Sequence, residues 1–255
     1  MRYLKTLSAC LLLASSAMTQ AAVTVTGDVK NAGSFAFVPG TRLLDAVSQG
    51  RPNAESYWLA AAWLHQPLVE QQIRLKAGVL FDLKLLQRGA LLEDNNSLAA
   101  LAARLFEEVS RLPVTGRKVA VLDPVALEVA FALNYSLNDG DHLIYPRRPS
   151  TVTVLGAVEK SCSLPYRAPQ QAHEYLKSCL PATDADPDYL WLIQPDGQVK
   201  RVGNAAWNRE DGVFAAAGST ILVPVRNDNP DLPTPDLNEQ LAQFLATQPL
   251  PEVAP

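Results

Sequence analysis

The sequence predicts an α+β fold built from two tandem, related units, because three blocks of the sequence occur twice in the same order. The first block of each unit alternates apolar and polar residues, breaks at a glycine, alternates again and then changes to helical spacing. This pattern is typical of a β-hairpin followed by a helix. The last block is a glycine turn that leads into a short apolar strand ended by a proline. The matched blocks are Val23–Gly50 with the stretch that begins at Val152, Trp63–Pro67 with Trp191–Pro195, and Asn138–Pro146 with Ala216–Pro224. Duplication of one domain explains this order better than chance does.

Residues 1–22 have the features of a secretory signal peptide. Arg2 and Lys5 form a positively charged start, an apolar run follows, and small residues around Ala21 provide a cleavage site. No other run approaches the roughly 20 apolar residues that a transmembrane helix needs. We therefore expect an exported protein that is not an integral membrane protein.

The first unit, predicted over 23–148, is longer than the second, predicted over 151–226, because of a helical insert at about 68–113. Its apolar residues follow helical spacing on both sides of a polar turn, and Ser97 is placed to cap the second helix. The pattern predicts an αα-hairpin that projects from the sheet. Its apolar stripe has two interpretations, which are burial against its own domain and a docking surface for a partner.

Residues 227–255 are predicted to form a proline-rich linker and a short amphipathic helix. The apolar face of that helix carries Leu237, Leu241, Phe244 and Leu245. This face either packs back onto the two domains or binds a partner. The second interpretation includes oligomerisation through the helix.

Two cysteines remain after removal of the signal peptide, Cys162 and Cys179. In an oxidising compartment a disulfide between them is the expected state, and it would join the hairpin of the second unit to the end of its helix. The alternative is a pair of unlinked, buried thiols.

Composition and motifs exclude several classes of function. Removal of Arg2 and Lys5 with the signal peptide takes the formal net charge from −4 to −6, and no basic patch indicates a nucleic-acid ligand. The chain has no Walker loop, H-E-x-x-H, G-x-S-x-G or G-x-G-x-x-G motif. Asp184–Asp188 resembles a calcium loop but lacks the required glycine, and Pro195 stands where the bidentate glutamate belongs. We expect no cofactor and no metal.

Arg117, in the run V-T-G-R, is the candidate ligand-binding residue. It stands where the helical insert returns to the sheet, next to a glycine that allows close approach of the backbone. A guanidinium there would hold a carboxylate or phosphate by two parallel hydrogen bonds. The alternative is that Arg117 braces the insert through carboxylates such as those of Glu107 and Glu108.

The tryptophans are candidates for stacking on sugar rings. They are Trp58, Trp63, Trp191 and Trp207. Trp63 and Trp191 fall on the repeated strand, so burial in the core is the interpretation for these two.

The repeated pattern V-x-V-x-G-x-V, F-x-x-x-P-G, helix and G-D-x-L-x-x-P resembles the SLBB type of β-grasp domain. The first unit carries it at Val23–Gly40 and Gly140–Pro146, whereas in the second unit Ser219 replaces the aspartate and Cys162 replaces the hairpin glycine. Two such domains, an insert that ends in V-T-G-R and an amphipathic C-terminal helix together are similar to the GfcC-type capsule biosynthesis family. The resemblance covers essentially the whole mature chain.

The resemblance implies a periplasmic protein of Gram-negative polysaccharide export, similar in its domains to outer-membrane export channels. In those channels amphipathic C-terminal helices form the pore, but here the helix is short, so an accessory role is expected. The resemblance also points to Arg117 as a site residue in a cleft.

The leading hypothesis is therefore a non-enzymatic periplasmic accessory protein that binds acidic polysaccharide or outer-membrane export proteins. The alternative is an enzyme that modifies or cleaves polysaccharide in a cleft around Arg117. Such an enzyme needs a general acid or base, and Glu107, Asp123 and Glu128 are the carboxylates nearby in sequence.

Overall fold

A computed structural model describes residues 21–226 and 234–251 of the chain. The predicted signal peptide therefore lies outside the described residues except for its last two positions, and so does most of the proline-rich linker. No helix in the described ranges is long and apolar enough to cross a bilayer.

The first unit contains a five-stranded mixed sheet in the order β2-β1-β5-β3-β4. Strands β1 and β5 are parallel, and the other neighbouring pairs are antiparallel. The strands are β1 (Ala22–Gly27), β2 (Gly33–Ala36), β3 (Ala62–Leu64), β4 (Arg117–Lys118) and β5 (His142–Tyr145). The helices of this part of the chain are α1 (Leu43–Gly50), α2 (Val69–Leu92), α3 (Asn96–Arg111) and α4 (Pro124–Val129). Helix α1 packs on the sheet and buries Leu43 and Val47 against its strands.

The second unit repeats this topology. Its sheet has the order β7-β6-β10-β8-β9, and β6 and β10 are the parallel pair. The strands are β6 (Thr151–Gly156), β7 (Cys162–Pro165), β8 (Tyr189–Ile193), β9 (Val199–Gly203) and β10 (Thr220–Val223). A 3₁₀ helix over Ala172–Lys177 takes the place of α1. The predicted α+β fold of two tandem units is confirmed.

The glycine that ends the first strand of each unit is required for the same reason in both. Gly27 ends β1 with φ 91°, and Gly156 ends β6 with φ 99°. A side chain on Gly27 would overlap the carbonyl oxygen of Tyr145, and one on Gly156 would overlap that of Val223. Only glycine fits both the backbone angle and the close approach of the parallel strand.

The insert between β3 and β4 is the predicted helix, polar turn and helix, formed by α2 and α3. The predicted cap is wrong by two positions. The side chain of Asn95, not of Ser97, accepts a hydrogen bond from the backbone N–H of Leu98 (3.1 Å), and the hydroxyl of Ser97 donates to Asn95 (2.9 Å). Asp94 adopts φ 57°, which turns the chain before the helix and leaves Asn95 at the capping position.

The expectation that the insert buries its stripe against its own domain is also wrong. Buried side chains of α2 and α3, such as Leu83 and Leu105, share one core with the second sheet and with α5 (Leu237–Ala246). Two hydrogen bonds reinforce the contact, since Arg104 Nη2 donates to the carbonyls of Gly156 (2.9 Å) and Val158 (2.8 Å). The stripe is covered by the second unit because hydrophobic burial depends on spatial proximity and not on sequence order.

The junction between the units holds an arginine between two aromatic rings. The guanidinium carbon of Arg148 lies 5.3 Å from the ring centre of Tyr57 in the first unit and 5.8 Å from that of Tyr166 in the second. Stacking of a cation on aromatic rings is favourable at these distances. Arg148 therefore links the two units across their junction.

Candidate ligand groove at Arg117

A groove of about 510 Å³ lies between the second sheet, α3 and the end of the chain. The sheet contributes Thr151, Thr153 and Thr220 to the lining, and the C-terminal stretch 248–251 forms another wall. Leu105 and Val109 of α3 provide apolar surface. Arg117 reaches this groove from β4, and Arg147 also lines it.

The backbone around Arg117 is fixed by α2. The side chain of Gln72, which is buried, donates from Nε2 to the carbonyl of Arg117 (2.9 Å) and accepts from the N–H of Gly116 (2.8 Å). Gly116 has φ 73°, and a side chain there would meet the carbonyl oxygen of His65. The glycine of the V-T-G-R run is therefore required for β4 to pair with β3, which sets the position of the arginine.

The guanidinium of Arg117 is bonded to backbone carbonyls. Nη1 donates to Ala246 (3.2 Å) and Gln248 (3.1 Å), and Nη2 donates to Pro195. Nε, which is buried, has no hydrogen-bond partner in the described part of the chain. Burial lowers the pKa of Arg117 to about 10, an effect that the charge of Asp196 partly offsets. The side chain therefore keeps its positive charge at neutral pH.

The expected carboxylate partners of Arg117 lie elsewhere. Glu108 pairs with Arg104 (2.8 Å), and Glu107 lies 3.9 Å from Arg111. The interpretation that Arg117 braces the insert through these two carboxylates is therefore wrong. It braces the chain through carbonyl groups instead, which are dipoles and do not neutralise its charge.

Acid–base groups are sparse at the groove. Glu108 is the one carboxylate that lines it in the described residues, and Arg104 already pairs with Glu108. Asp123 caps α4 by accepting from the N–H of Val125 (3.0 Å), and Glu128 is exposed on the same helix. The three carboxylates named from the sequence are thus not brought together with Arg117.

Comparison with known proteins identifies the family. The family model described as "Capsule biosynthesis GfcC, N-terminal" matches residues 19–148, and the model described as "Capsule biosynthesis GfcC C-terminal" matches residues 160–249. The chain belongs to the GfcC capsule biosynthesis family. It is also similar to the uncharacterised protein YjbG of Escherichia coli (strain K12), with 31% identity over 211 residues, which cover 82% of this chain and 83% of YjbG. Membership of the GfcC family supports a role in capsule biosynthesis.

The C-terminal helix α5 packs back onto the chain. Leu237, Leu241 and Phe244 are almost fully buried in the core that the insert shares with the second sheet. Leu245 is half-buried and lines the groove together with Leu241. The apolar face that the sequence offers to a partner is therefore occupied by this chain in the structure.

The predicted disulfide is confirmed. Cys162 at the start of β7 is bonded to Cys179, just after the 3₁₀ helix. The two cysteines are 17 positions apart in sequence, so the bond closes a short loop within the second unit.

Sequence reasoning missed the wall of the groove formed by 248–251. Leu250 packs beside Tyr57 and Ala217, so this stretch is held between the two units. The prolines Pro249 and Pro251 were the available signal, because alternating prolines favour an extended segment.

The tryptophans follow their predicted burial only in part, because Trp63 lies in the core and Trp191 does not. Trp63 is fully buried and Trp191 is half-buried, whereas Trp58 is 46% exposed and Trp207 is 71% exposed. Trp58 and Trp207 are exposed to solvent, and the half-buried Trp191 lines a separate cleft beside Tyr189 and Arg201.

Proposed function

We propose that this chain is a periplasmic accessory protein of capsule or exopolysaccharide biosynthesis or export, and that it binds acidic polysaccharide in the groove at Arg117. The observation that carries the proposal is a buried guanidinium that is bonded to backbone carbonyls, in a groove whose one carboxylate among the described residues, Glu108, is paired with Arg104. Family membership supplies the capsule context.

Charge favours an anionic sugar in the groove. Arg117 and Arg147 bring positive charge to the lining, and Glu108, the one lining carboxylate among the described residues, is paired with Arg104. Arg147 also lies near Asp28, which does not line the groove, with 3.8 Å between Nε and Oδ1. A carboxylate placed near a partly desolvated guanidinium is stabilised more strongly than in water, because the local dielectric constant is lower. The buried Nε of Arg117 has no partner among the described residues, so the contribution that we assign to Arg117 is its positive charge and not a hydrogen bond from Nε.

The other lining groups suit a sugar as well. The hydroxyls of Thr151, Thr153 and Thr220 donate and accept hydrogen bonds, as sugar hydroxyls do. The apolar side chains of α3 and α5 provide surface for the C–H face of a pyranose ring. A concave site with apolar walls and a few polar groups is typical of small-ligand binding.

Binding without catalysis is favoured over the enzymatic alternative. General acid–base catalysis of glycoside hydrolysis uses two carboxyl groups on either side of the bond. Among the described residues the groove offers Glu108 alone, and this carboxylate is already paired with Arg104. The disulfide supports an oxidising compartment such as the periplasm.

The test is calorimetric titration of the mature chain with a glucuronic-acid-containing capsular oligosaccharide and with its carboxyl-reduced, neutral derivative. We expect saturable binding of the acidic form, weakened by Arg117→Gln and by Arg147→Gln. Arg147 is 60% exposed, so its replacement removes its charge and its 3.8 Å contact with Asp28 without disturbing the core. Arg74→Gln, which removes an arginine on α2 that is 70% exposed and also lies in an ion pair, is the matched control.

Equal affinity for the acidic and the neutral oligosaccharide, or no effect of either groove variant, contradicts the proposal. Shortened sugar products in the mixture would show instead that the protein is an enzyme that cleaves polysaccharide. Absence of any binding, together with co-purification of an outer-membrane export protein, favours an adaptor that binds only protein.

A further inference from the structure

A second surface of the protein presents an exposed tryptophan in a fixed orientation. Trp207 lies in a turn that follows β9, and 71% of it is exposed. Its indole Nε1 donates to Oδ1 of Asp188 (3.1 Å), and its ring meets that of Tyr189 edge to face, with ring centres 6.4 Å apart. The indole therefore stands out from the surface while its polar edge is held by the protein.

The turn that carries Trp207 is anchored by the backbone of Asp188. The carbonyl of Asp188 accepts from the N–H of Asn204 (2.8 Å) and from Nδ2 of Asn208 (3.0 Å). Gly203 lies so close to the carbonyl of Asn208 that a side chain on it would overlap that oxygen. These contacts fix the turn before any ligand arrives, which lowers the entropy cost of binding.

Charged groups lie next to the aromatic rings. The guanidinium carbon of Arg201 is 3.5 Å from the ring centre of Tyr189. Asp188, Tyr189 and Arg201 line a cleft of about 430 Å³, together with Asp186 and Glu239. This cleft shares no lining residue with the groove at Arg117.

We propose that Trp207 and the adjoining cleft form a binding platform for a neutral pyranose of a glycan chain. The exposed indole face stacks on the C–H face of the sugar ring. The carboxylate of Asp188 and the guanidinium of Arg201 bind hydroxyl groups of the same or the next sugar. This inference rests on the proposed function for the choice of a carbohydrate, and it adds a second site with different chemistry.

Polarity and charge decide the class of ligand. An exposed tryptophan surrounded by apolar side chains is typical of a protein-binding surface. Here the rings of Trp207 and Tyr189 are flanked instead by carboxylates and guanidinium groups, which form hydrogen bonds with hydroxyl groups. The lining carboxylates of Asp186, Asp188 and Glu239 outnumber the guanidinium groups of Arg201 and Arg226. An acidic sugar is therefore disfavoured, and a neutral one is expected.

The test is a fluorescence titration of the mature chain with a panel of neutral hexasaccharides built from glucose, galactose or mannose, run beside the acidic oligosaccharide used for the groove. We expect at least one neutral sugar to change the emission saturably, and Trp207→Ala to weaken its affinity by about tenfold or more. Trp207→Phe, which keeps a ring, retains part of the affinity. Trp58→Ala, which removes the other exposed tryptophan, leaves it unchanged.

Affinity electrophoresis in gels that contain the same sugar repeats the comparison without relying on tryptophan emission. No binding of any neutral sugar in the panel, or equal affinity of Trp207→Ala and Trp58→Ala, overturns the inference. Arg117→Gln separates the two proposals, because it weakens the acidic oligosaccharide and leaves the neutral one bound. If the groove variants lose affinity for the acidic oligosaccharide alone, the proposed function is supported independently of Trp207.

Discussion

Nη1 of Arg117 donates to the carbonyl of Gln248 over 3.1 Å and joins two residues that are 131 positions apart. The same guanidinium also binds the carbonyls of Ala246 and Pro195. One side chain thus connects the end of the helical insert, a turn of the second sheet and the C-terminal segment. A residue that faces the candidate groove also fixes two of the segments that form it.

Arg117→Gln is expected to lower the free energy of unfolding as well as ligand affinity. The change leaves buried carbonyls without their charged donor, and bonds to charged groups contribute about 1.5–3 kcal/mol each, so we expect a loss of about 3 kcal/mol. Urea denaturation of the mature chain measures it. Arg74→Gln, on the exposed face of α2, serves as the control and should change stability by at most about 0.5 kcal/mol. Equal stability of the two variants would show that the carbonyl contacts of Arg117 contribute nothing.

Arg104→Ala is expected to weaken the attachment of the insert to the second unit. Its Nη2 atom binds the carbonyls of Gly156 and Val158, both in buried residues, so its removal should cost about 2 kcal/mol. Glu108→Gln removes only the half-exposed ion pair and should cost about 0.5 kcal/mol. Hydrogen exchange adds a local readout, because faster exchange in α3 is expected for the first variant and not for the second. A larger effect of the Glu108 variant would contradict this assignment.

Phe244→Ala distinguishes the two interpretations of the C-terminal helix. Phe244 is fully buried, and truncation of a buried phenylalanine costs about 3–5 kcal/mol. The neighbouring exposed residue gives the control, since Gln243→Ala should lie within about 0.5 kcal/mol of wild type. Thermal unfolding and analytical ultracentrifugation are measured together. A change in oligomeric state without a loss of stability would favour the helix as a partner-binding element.

Local pattern was sufficient to predict the repeat, the sheets and the helical insert, because alternation and helical spacing depend on residues near each other in sequence. What covers each apolar face depends on contacts distant in sequence, and the insert and α5 were therefore ambiguous. Arg117 was identifiable from its glycine neighbour. Its partners were not, because they are backbone carbonyls, and every residue type has one. Trp207 was named as one of four candidates, but its exposure and its bond to Asp188 follow only from the folded turn.

Asp82→Asn is expected to stabilise the protein at neutral pH. Partial burial and the nearby charge of Asp236 raise the pKa of Asp82, so the folded state favours its protonated form. The free energy of unfolding therefore gains a contribution as pH falls through the raised pKa of the folded state. This gain is complete below the ordinary pKa of an unfolded aspartate and is lost again as pH rises. Asparagine cannot ionise, so the variant should be more stable than wild type by about 0.5 kcal/mol at pH 7, and the difference should vanish at about pH 3. Unfolding midpoints across this pH range check the sign. Asp211→Asn, at an exposed aspartate outside the α2–α5 contact, is the control. A variant that is less stable relative to wild type at pH 7 than at pH 3 contradicts the prediction.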